Sequence, residues 1–271
     1  MPPPVCSRCG SSLNLNGLPC FFFDMEQFSA IPYEIWNSLP EGSKIKNPAM
    51  LMEDTMDGRG LGGGLRAFAE KYGYKFVVDE PWAVGAKDYS SQILKLKNSN
   101  VDALLIFGSP ADCITFLRQM KELNFSIPFI GGYKGTWTAE FYDALKEDSD
   151  YILFDGFWHE DFPYPGAKEL GNRFKEQFGK TSVSTGAFYG TAQILFMAIE
   201  KAGSLDSAKV REAVLNNEFK GTVMGDVKYR PDGTAAFSST ENQWWEGQQK
   251  LVYPFFEGAW KVKLAPPWDK R

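Results

Sequence analysis

The alternation of apolar and polar positions is clearest over residues 85–132, where it predicts a helix, a strand, a second helix and a second strand. The first of these strands, over 101–107, is a largely apolar run, which is typical of a parallel strand covered on both faces. Such a unit places its strand-to-helix loops at one edge of the sheet, where open α/β folds bind ligands. The loops over 108–112 and 131–137 are therefore the first candidates for a binding site.

Helix-start signals support this interpretation. Asp88 is expected to cap the first helix of the unit. Ser109 as a cap, Pro110 at the first helical position and Asp112 in the first turn predict the start of the second helix.

Similar patterns predict an α/β organisation for the rest of the chain. Strands are expected at 18–23, 48–53, 74–79, 151–158, 222–229, 243–245 and 251–253, with turns at 231–233 and 246–247. Helices are expected at 31–39, 61–72, 138–146, 165–178, 184–202 and 206–217. Residues 1–17 are expected to form a disordered tail.

A glycine-rich stretch, G-R-G-L-G-G-G at 58–64, follows the strand predicted at 48–53. Glycines 58, 60 and 63 have the G-x-G-x-x-G spacing with which a nucleotide-dependent enzyme could cradle phosphate. The stretch lacks the Lys-Ser/Thr ending of a P-loop. A close contact between helix and sheet is therefore favoured over a nucleotide site.

Composition excludes some function classes. The 271 residues are 44% hydrophobic and 15% aromatic, as expected of a folded globular protein. The net charge of −5, without a Lys/Arg cluster, argues against a nucleic-acid partner. The longest apolar runs are too short for a membrane span.

Cysteine and histidine are sparse. Cys6-x-x-Cys9 raises the possibility of zinc, whose other ligands would be Cys20 and His159, the only histidine. A solvated tail, or a disulfide from Cys6 or Cys9 to Cys20 in an exported protein, is favoured over a metal. Cys113 is expected to be a small core residue. Without a nucleophile elbow or a recognisable acid pair, the sequence predicts no catalytic site and no cofactor, and His159 is interpreted as a surface residue.

An ordered series of short motifs resembles the type I periplasmic binding proteins of the branched-chain amino acid ABC-transporter group. The motifs are EDTMDGRGL (53–61), KDYSSQI (87–93), LRQMK (117–121), IPFIGG (127–132), YGTAQILFMAIEKAGSLD (189–206), GDVKYRPDG (225–233) and VYPFF (252–256). The resemblance covers about residues 20–268. It implies a flavodoxin-like parallel-sheet lobe over 46–159 and a second, incomplete α/β lobe built from 18–45 with 160–250. Residues 251–271 are expected to be a C-terminal hinge and packing segment.

The function that the resemblance implies is non-catalytic binding of a small solute, such as an amino acid or a related amide or carboxylate. The solute would be delivered to an ABC permease after hinge closure of two lobes. Three ligand-contacting positions of this group match Asp57, either Ser109 or Pro110, and Tyr133, and all three differ from the amino-acid-binding pattern. Trp137 in the same loop as Tyr133, and Trp158, complete the predicted ligand-binding residues.

Three alternatives accompany this interpretation. Asp57 and Ser109 could be helix caps, and the aromatic residues could simply cover the sheet. The resemblance implies a periplasmic or extracellular location, yet no signal peptide precedes the first motif, so a cytoplasmic amide-responsive regulator of the same fold is the rival function. Because the first lobe is expected to be incomplete, the apolar faces of helices 184–202 and 206–217 could be exposed and lead to self-association.

Overall fold

A computed structural model describes residues 25–180, 183–230, 235 and 239–271. Several predicted features lie outside these residues, namely the tail at 1–17, the strand at 18–23, the turn at 231–233, and Cys6, Cys9 and Cys20.

The chain folds into two compact units. Unit 1 comprises Met1–Phe28 and Gly156–Thr240, and unit 2 comprises Ser29–Asp155 and Glu241–Arg271. The family resemblance implied one lobe built from 18–45 with 160–250. In the structure, residues 29–45 and most of the hairpin near 240–253 belong to unit 2 instead. The hairpin pairs with the sheet of unit 2, which explains its assignment there.

Unit 2 is built around one mostly parallel sheet. Its strands, in the order β2-β1-β3-β4-β5-β8-β9, are β1 (Pro48–Glu53), β2 (Val78–Trp82), β3 (Ala103–Gly108), β4 (Phe129–Lys134), β5 (Leu153–Gly156), β8 (Thr240–Trp245) and β9 (Gln248–Tyr253). The first five run parallel, and β8 and β9 form an antiparallel hairpin. Residues Pro48–Glu53 are buried throughout, as their apolar run predicts for a strand covered on both faces.

Helices connect and cover these strands. They are α1 (Met25–Ser38), α2 (Met56–Lys71), α3 (Ser90–Asn98), α4 (Pro110–Glu122) and α5 (Ala139–Leu145). The α4 start agrees with the prediction in detail, because the Ser109 side chain accepts a hydrogen bond from the Asp112 amide and Pro110 occupies the first turn. The N-cap of α3 is Tyr89 rather than Asp88, whose carboxylate accepts a hydrogen bond from the Ser90 amide at 2.8 Å.

The second strand begins later than predicted, at Val78 rather than at 74. Tyr74 packs its ring against Trp36, with ring centroids 5.0 Å apart, and its hydroxyl donates to Asn37. Tertiary packing on α1 therefore draws this residue away from the sheet, although its β-propensity is high.

Unit 1 consists mainly of helices α6 (Ala167–Phe178), α7 (Thr185–Ala202) and α8 (Ser207–Asn216), with a small hairpin of β6 (Glu218–Thr222) and β7 (Gly225–Lys228). A single strand was predicted where this hairpin lies. The turn between its strands places Gly225 at φ +84°, a conformation that favours glycine, and so divides the predicted strand in two.

The buried stripe of α7 consists of small residues and one isoleucine: Gly186, Gly190, Ile194 and Ala198. Four larger apolar side chains of the same helix are exposed: Phe188, Tyr189, Leu195 and Phe196. The structure thus confirms the predicted exposure of apolar residues on 184–202, although Ile194 itself is buried. The exposure predicted for the apolar face of 206–217 is wrong, because Ala213 and Val214 of α8 are buried.

Candidate functional site

The carboxyl ends of β1, β3 and β4 lie side by side in the sheet of unit 2. Each strand is followed by a helix whose first turn is capped by a hydroxyl: Thr55 accepts from the Gly58 amide, Ser109 from the Asp112 amide and Thr138 from the Phe141 amide. We call this set of strand ends and helix starts the carboxyl edge. It is the position at which α/β sheets bind ligands.

Three of the predicted ligand residues lie on the carboxyl edge. Asp57 is exposed in the first turn of α2, and Trp137 is half-buried in the loop between β4 and α5. Ser109 is half-buried, and its hydroxyl also donates to the Asp112 carboxylate at 2.7 Å, so the capping interpretation is confirmed for this residue. Asp57 is not a cap, because Thr55 occupies that position.

The predicted loop position of Tyr133 is wrong. Tyr133 lies within β4, and only 1% of its surface is exposed. It pairs in register with Phe107 of β3, so the parallel pairing of β3 and β4 includes the position that was predicted to lie in the loop. Burial, followed by the nearby Glu241 carboxyl, raises the pKa of the Tyr133 phenol well above its usual value.

Trp158 and His159 belong to unit 1, and both are buried. The Trp158 indole donates to the Val223 carbonyl at 2.9 Å, and its ring lies against Gly186 so closely that a methyl group there would overlap it. The surface position predicted for His159 is wrong, because its Nδ1 accepts a hydrogen bond from the Asp161 amide in a tight local turn. The observed role of Trp158 is packing.

The glycine-rich stretch forms part of α2, and its glycines allow close packing. A methyl group at Gly58 would overlap the Glu53 carbonyl oxygen, and one at Gly64 would overlap the Ser29 hydroxyl. The Gly58 amide is already bonded to the Thr55 cap. The Gly58 contact with the end of β1 favours the helix–sheet explanation over a phosphate cradle, and the Gly64 contact packs α2 against α1.

Asp112 of α4 connects two segments of unit 2 through its carboxylate. This buried carboxylate accepts hydrogen bonds from the Gly85 amide at 2.8 Å, the Tyr89 hydroxyl at 2.8 Å and the Ser109 hydroxyl at 2.7 Å. Three donors satisfy a buried carboxylate without a counter-charge. Asp112 therefore fixes the β3–α4 connection and the segment before α3 as one rigid part of the carboxyl edge.

An ion pair crosses the top of the sheet. Lys134, the last residue of β4, places its ammonium 2.5 Å from Oε1 of Glu53, the last residue of β1. Only 1% of the Glu53 side chain is exposed, compared with 43% of the Lys134 side chain. The Thr55 hydroxyl donates to the same Oε1 at 2.9 Å. No local sequence pattern indicates this pair, because its members are 81 residues apart.

A second group of acids is buried in the sheet of unit 2. Asp155, at the end of β5, and Glu241, at the start of β8, are both buried. Burial raises the pKa of the Asp155 carboxyl to about 7, although the Lys134 amide donates to it at 3.3 Å. Burial and the negative charge of Asp155 raise the pKa of the Glu241 carboxyl well above its usual value. Both shifts favour the protonated over the charged form of these two carboxyls.

Within the described residues, no cluster of three or more metal-ligating side chains is present, and Cys113 is buried as predicted. No helix in the described ranges is long and apolar enough to cross a membrane.

The fold and this edge can now be compared with known proteins. The family model described as "Periplasmic binding protein" matches residues 10–243. The chain belongs to this family. The family resemblance expected from the motifs and the α/β fold with a mostly parallel sheet are thereby confirmed.

Relatives of this periplasmic binding protein include the leucine-, isoleucine-, valine-, threonine-, and alanine-binding protein of Pseudomonas aeruginosa, which is 28% identical over 213 residues. A Leu/Ile/Val-binding protein homolog of Brucella abortus is 26% identical over 209 residues. These matches cover 76% and 77% of this chain but 55% and 56% of the relatives, so the chain spans about half of their length.

Solved structures share the fold. A leucine binding protein from Thermotoga maritima matches with a TM-score of 0.72 and 23% identity, over 85% of this chain and 65% of that one. A solute binding protein from R. palustris in complex with benzoate matches with a TM-score of 0.70 and 16% identity, over 91% of this chain and 65% of that one. At these identities the likeness extends to the fold alone.

Proposed function

We propose that this protein binds a small polar solute, an amino acid or a related carboxylate, at the carboxyl edge of unit 2, without catalysing a reaction. Membership of the periplasmic binding protein family is the observation that carries the proposal. The edge supports it with an exposed acid at Asp57 in the first turn of α2, a cation at Lys134 at the end of β4 and an aromatic side chain at Trp137 in the β4–α5 loop. Charged groups beside an aromatic surface are typical of sites for small polar solutes.

The proposal includes delivery of the solute to an ABC permease from a periplasmic or extracellular location. The names of the relatives support this role, since they are amino-acid-binding proteins. They favour it over the cytoplasmic regulator that the sequence left open. Closure of two lobes on the solute remains a prediction from the family resemblance.

A ligand screen tests the binding proposal. We expect the melting temperature of the full chain to rise by about 5 °C or more with a cognate solute at 100 times its Kd, because ligand binding at that excess stabilises the folded state by about 2.7 kcal/mol. The probes are branched-chain amino acids, their amides, and aromatic acids such as benzoate. A screen in which none of these solutes shifts the melting temperature or gives heat in calorimetry would contradict the proposal.

The position of the site is tested with two tryptophan variants. Trp137→Ala is expected to lower the affinity for the solute found in the screen by about tenfold. Loss of a central aromatic contact costs more than 1 kcal/mol of binding free energy. Trp260→Ala is the matched control, because Trp260 is also half-buried in unit 2 but packs against Trp245 of the hairpin. Equal effects of the two substitutions would place the site elsewhere.

We further propose that the exposed apolar face of α7 leads to self-association. Phe188 is 76% exposed and Phe196 is 65% exposed, and clustered apolar surface of this kind usually marks an interface. Sedimentation velocity at micromolar concentrations is expected to show concentration-dependent association, and Phe188→Lys with Phe196→Lys is expected to abolish it. Val77→Lys, at an exposed apolar residue of unit 2, is the control. A wild-type monomer at all concentrations would refute the proposal.

A further inference from the structure

We propose that Lys134 determines the solute class of this site by binding a carboxylate group of the solute; the inference rests on the proposed function. The ligand would thus be an anionic or zwitterionic solute, and its amide or amine counterpart would be rejected.

The Lys134 side chain extends across the carboxyl edge. This residue ends β4, and its ammonium contacts the Glu53 carboxylate at the end of β1, with β3 between those two strands. The side chain therefore crosses the carboxyl end of β3, where its ammonium also lies 5.3 Å from the centroid of the Phe107 ring. A cation is thus placed over the centre of the carboxyl edge.

The position of this cation is fixed from both ends. Its carboxylate partner is buried, and the Thr55 hydroxyl donates to the same carboxylate. Its backbone has φ +61°, a left-handed conformation that costs a non-glycine residue about 1 kcal/mol or more and that is often found at functional sites. The next residue, Gly135, packs so closely on the Gly108 carbonyl that a side chain would overlap it. The turn at residues 134–135 therefore packs directly on the end of β3.

The ammonium retains donors for a ligand. A lysine ammonium has three N–H donors. Among the described residues, Glu53 Oε1 is the one acceptor that lies within hydrogen-bond distance of it. Since 43% of the side chain is exposed at the carboxyl edge, the other donors can reach a solute carboxylate there. A charge-assisted hydrogen bond from a held ammonium is stronger than one from a neutral donor.

Arg59 provides a contrast on the same edge. It pairs with Asp54 at 2.5 Å, but the side chains of both residues are largely exposed, so burial does not fix either of them. A surface pair of this kind contributes little to stability. Lys134 is instead anchored on a buried acid, which is the arrangement that preorganises a charge for recognition.

The decisive experiment compares Glu53→Gln with the double variant Glu53→Gln/Lys134→Met. Lys134→Met alone would leave a buried, unpaired carboxylate and could fail to fold for that reason. Both chosen variants lack the buried carboxylate, so they differ only in the lysine. The amide oxygen that Glu53→Gln introduces can still accept a hydrogen bond from the Lys134 ammonium, so the lysine keeps its partner in the single variant. Lys121→Met in the wild-type background is a control, because Lys121 also forms an ion pair, with Asp148 at 2.7 Å, but lies in the last turn of α4.

Titration calorimetry on the full chain would use three carboxylates, benzoate, isovalerate and L-leucine, and their amides, benzamide, isovaleramide and L-leucinamide. We expect the wild type and Glu53→Gln to bind at least one carboxylate more tightly than its amide. We expect the double variant to bind that carboxylate at least about tenfold more weakly, with amide binding unchanged and with the Lys121→Met control like the wild type. Circular dichroism and melting curves establish that each variant is folded.

The outcomes separate the two proposals. If the wild type binds none of the six probes, the proposed function fails, and this inference fails with it. If the wild type binds but carboxylate affinity is the same in Glu53→Gln and in the double variant, the role of Lys134 is refuted and the function stands. Equal loss of carboxylate and amide binding in the double variant also refutes the inference, because it indicates a structural effect.

Discussion

The same substitution at two glycines of α2 is expected to have opposite effects on stability. Gly58→Ala should lower the free energy of unfolding by about 2 kcal/mol or more, since its methyl group would overlap the Glu53 carbonyl oxygen and overpacking typically costs 1–3 kcal/mol. That oxygen belongs to the backbone of a fully buried strand and cannot move aside easily. Gly63→Ala should raise the free energy of unfolding by about 0.5–1 kcal/mol, because its methyl group would meet no atom within 4 Å and alanine favours the helix.

Urea denaturation of the two variants and the wild type measures this difference, which should reach about 3 kcal/mol between the variants. Gly60→Ala provides a second open position in the same helix and should behave like Gly63→Ala. A stabilising Gly58→Ala, or equal changes at Gly58 and Gly63, would show that α2 does not approach β1 as described.

The second large effect concerns the buried carboxyls of Asp155 and Glu241. We expect unfolding free energy to fall by about 2–3 kcal/mol between pH 5 and pH 8 through Asp155 alone. The folded-state pKa of about 7 exceeds the ordinary value of 3.8, so the folded state binds more protons over this interval and rising pH favours unfolding. Glu241, whose pKa is also raised, should add to the fall in the same direction.

Denaturant titrations at several pH values test this expectation with Glu241→Gln. The variant should resemble the wild type near pH 5, where the carboxyl is protonated in the fold, and should be more stable at pH 8. Burial and both carboxyls raise the pKa of the nearby Tyr133 phenol, which stays neutral over this pH range and supplies no compensating charge. Glu70→Gln, at an exposed position of α2, should retain the wild-type pH dependence. Stability that is constant or rises from pH 5 to pH 8 would refute the expectation.

Local signals in the sequence predicted much of the architecture. The boundaries of β1 and the start of α4 follow from an apolar run and from the Ser109-Pro110 signal, both of which act over a few residues. The hairpin of β8 and β9 was recognised from Glu246-Gly247, which adopt φ values of +50° and +73° in its turn. Its membership of unit 2 was not predicted, because pairing with the existing sheet depends on a long-range contact.

The candidate site was less predictable for the same reason. Asp57, Ser109 and Trp137 were placed on the correct edge by strand-to-helix order. Tyr133 was misplaced, since one further residue of strand turns a loop position into a buried one. The Glu53–Lys134 pair was missed because no local pattern links residues so distant. An acid at the end of a fully apolar strand was the available signal, since such an acid is buried and needs a partner.

The order of the strands also bears on how this chain could exchange segments during evolution. The segment Gly156–Thr240 leaves unit 2 after β5 and returns at β8, and these two strands are neighbours in the sheet. The Trp244 amide donates to the Ile152 carbonyl at 3.0 Å, and the Tyr151 amide donates to the Trp244 carbonyl at 3.0 Å. The ends of the segment therefore lie close together, which is the connectivity of an inserted cassette. Changes in its length and sequence by insertion, deletion or replacement are compatible with continued pairing of β5 and β8 in the sheet of unit 2.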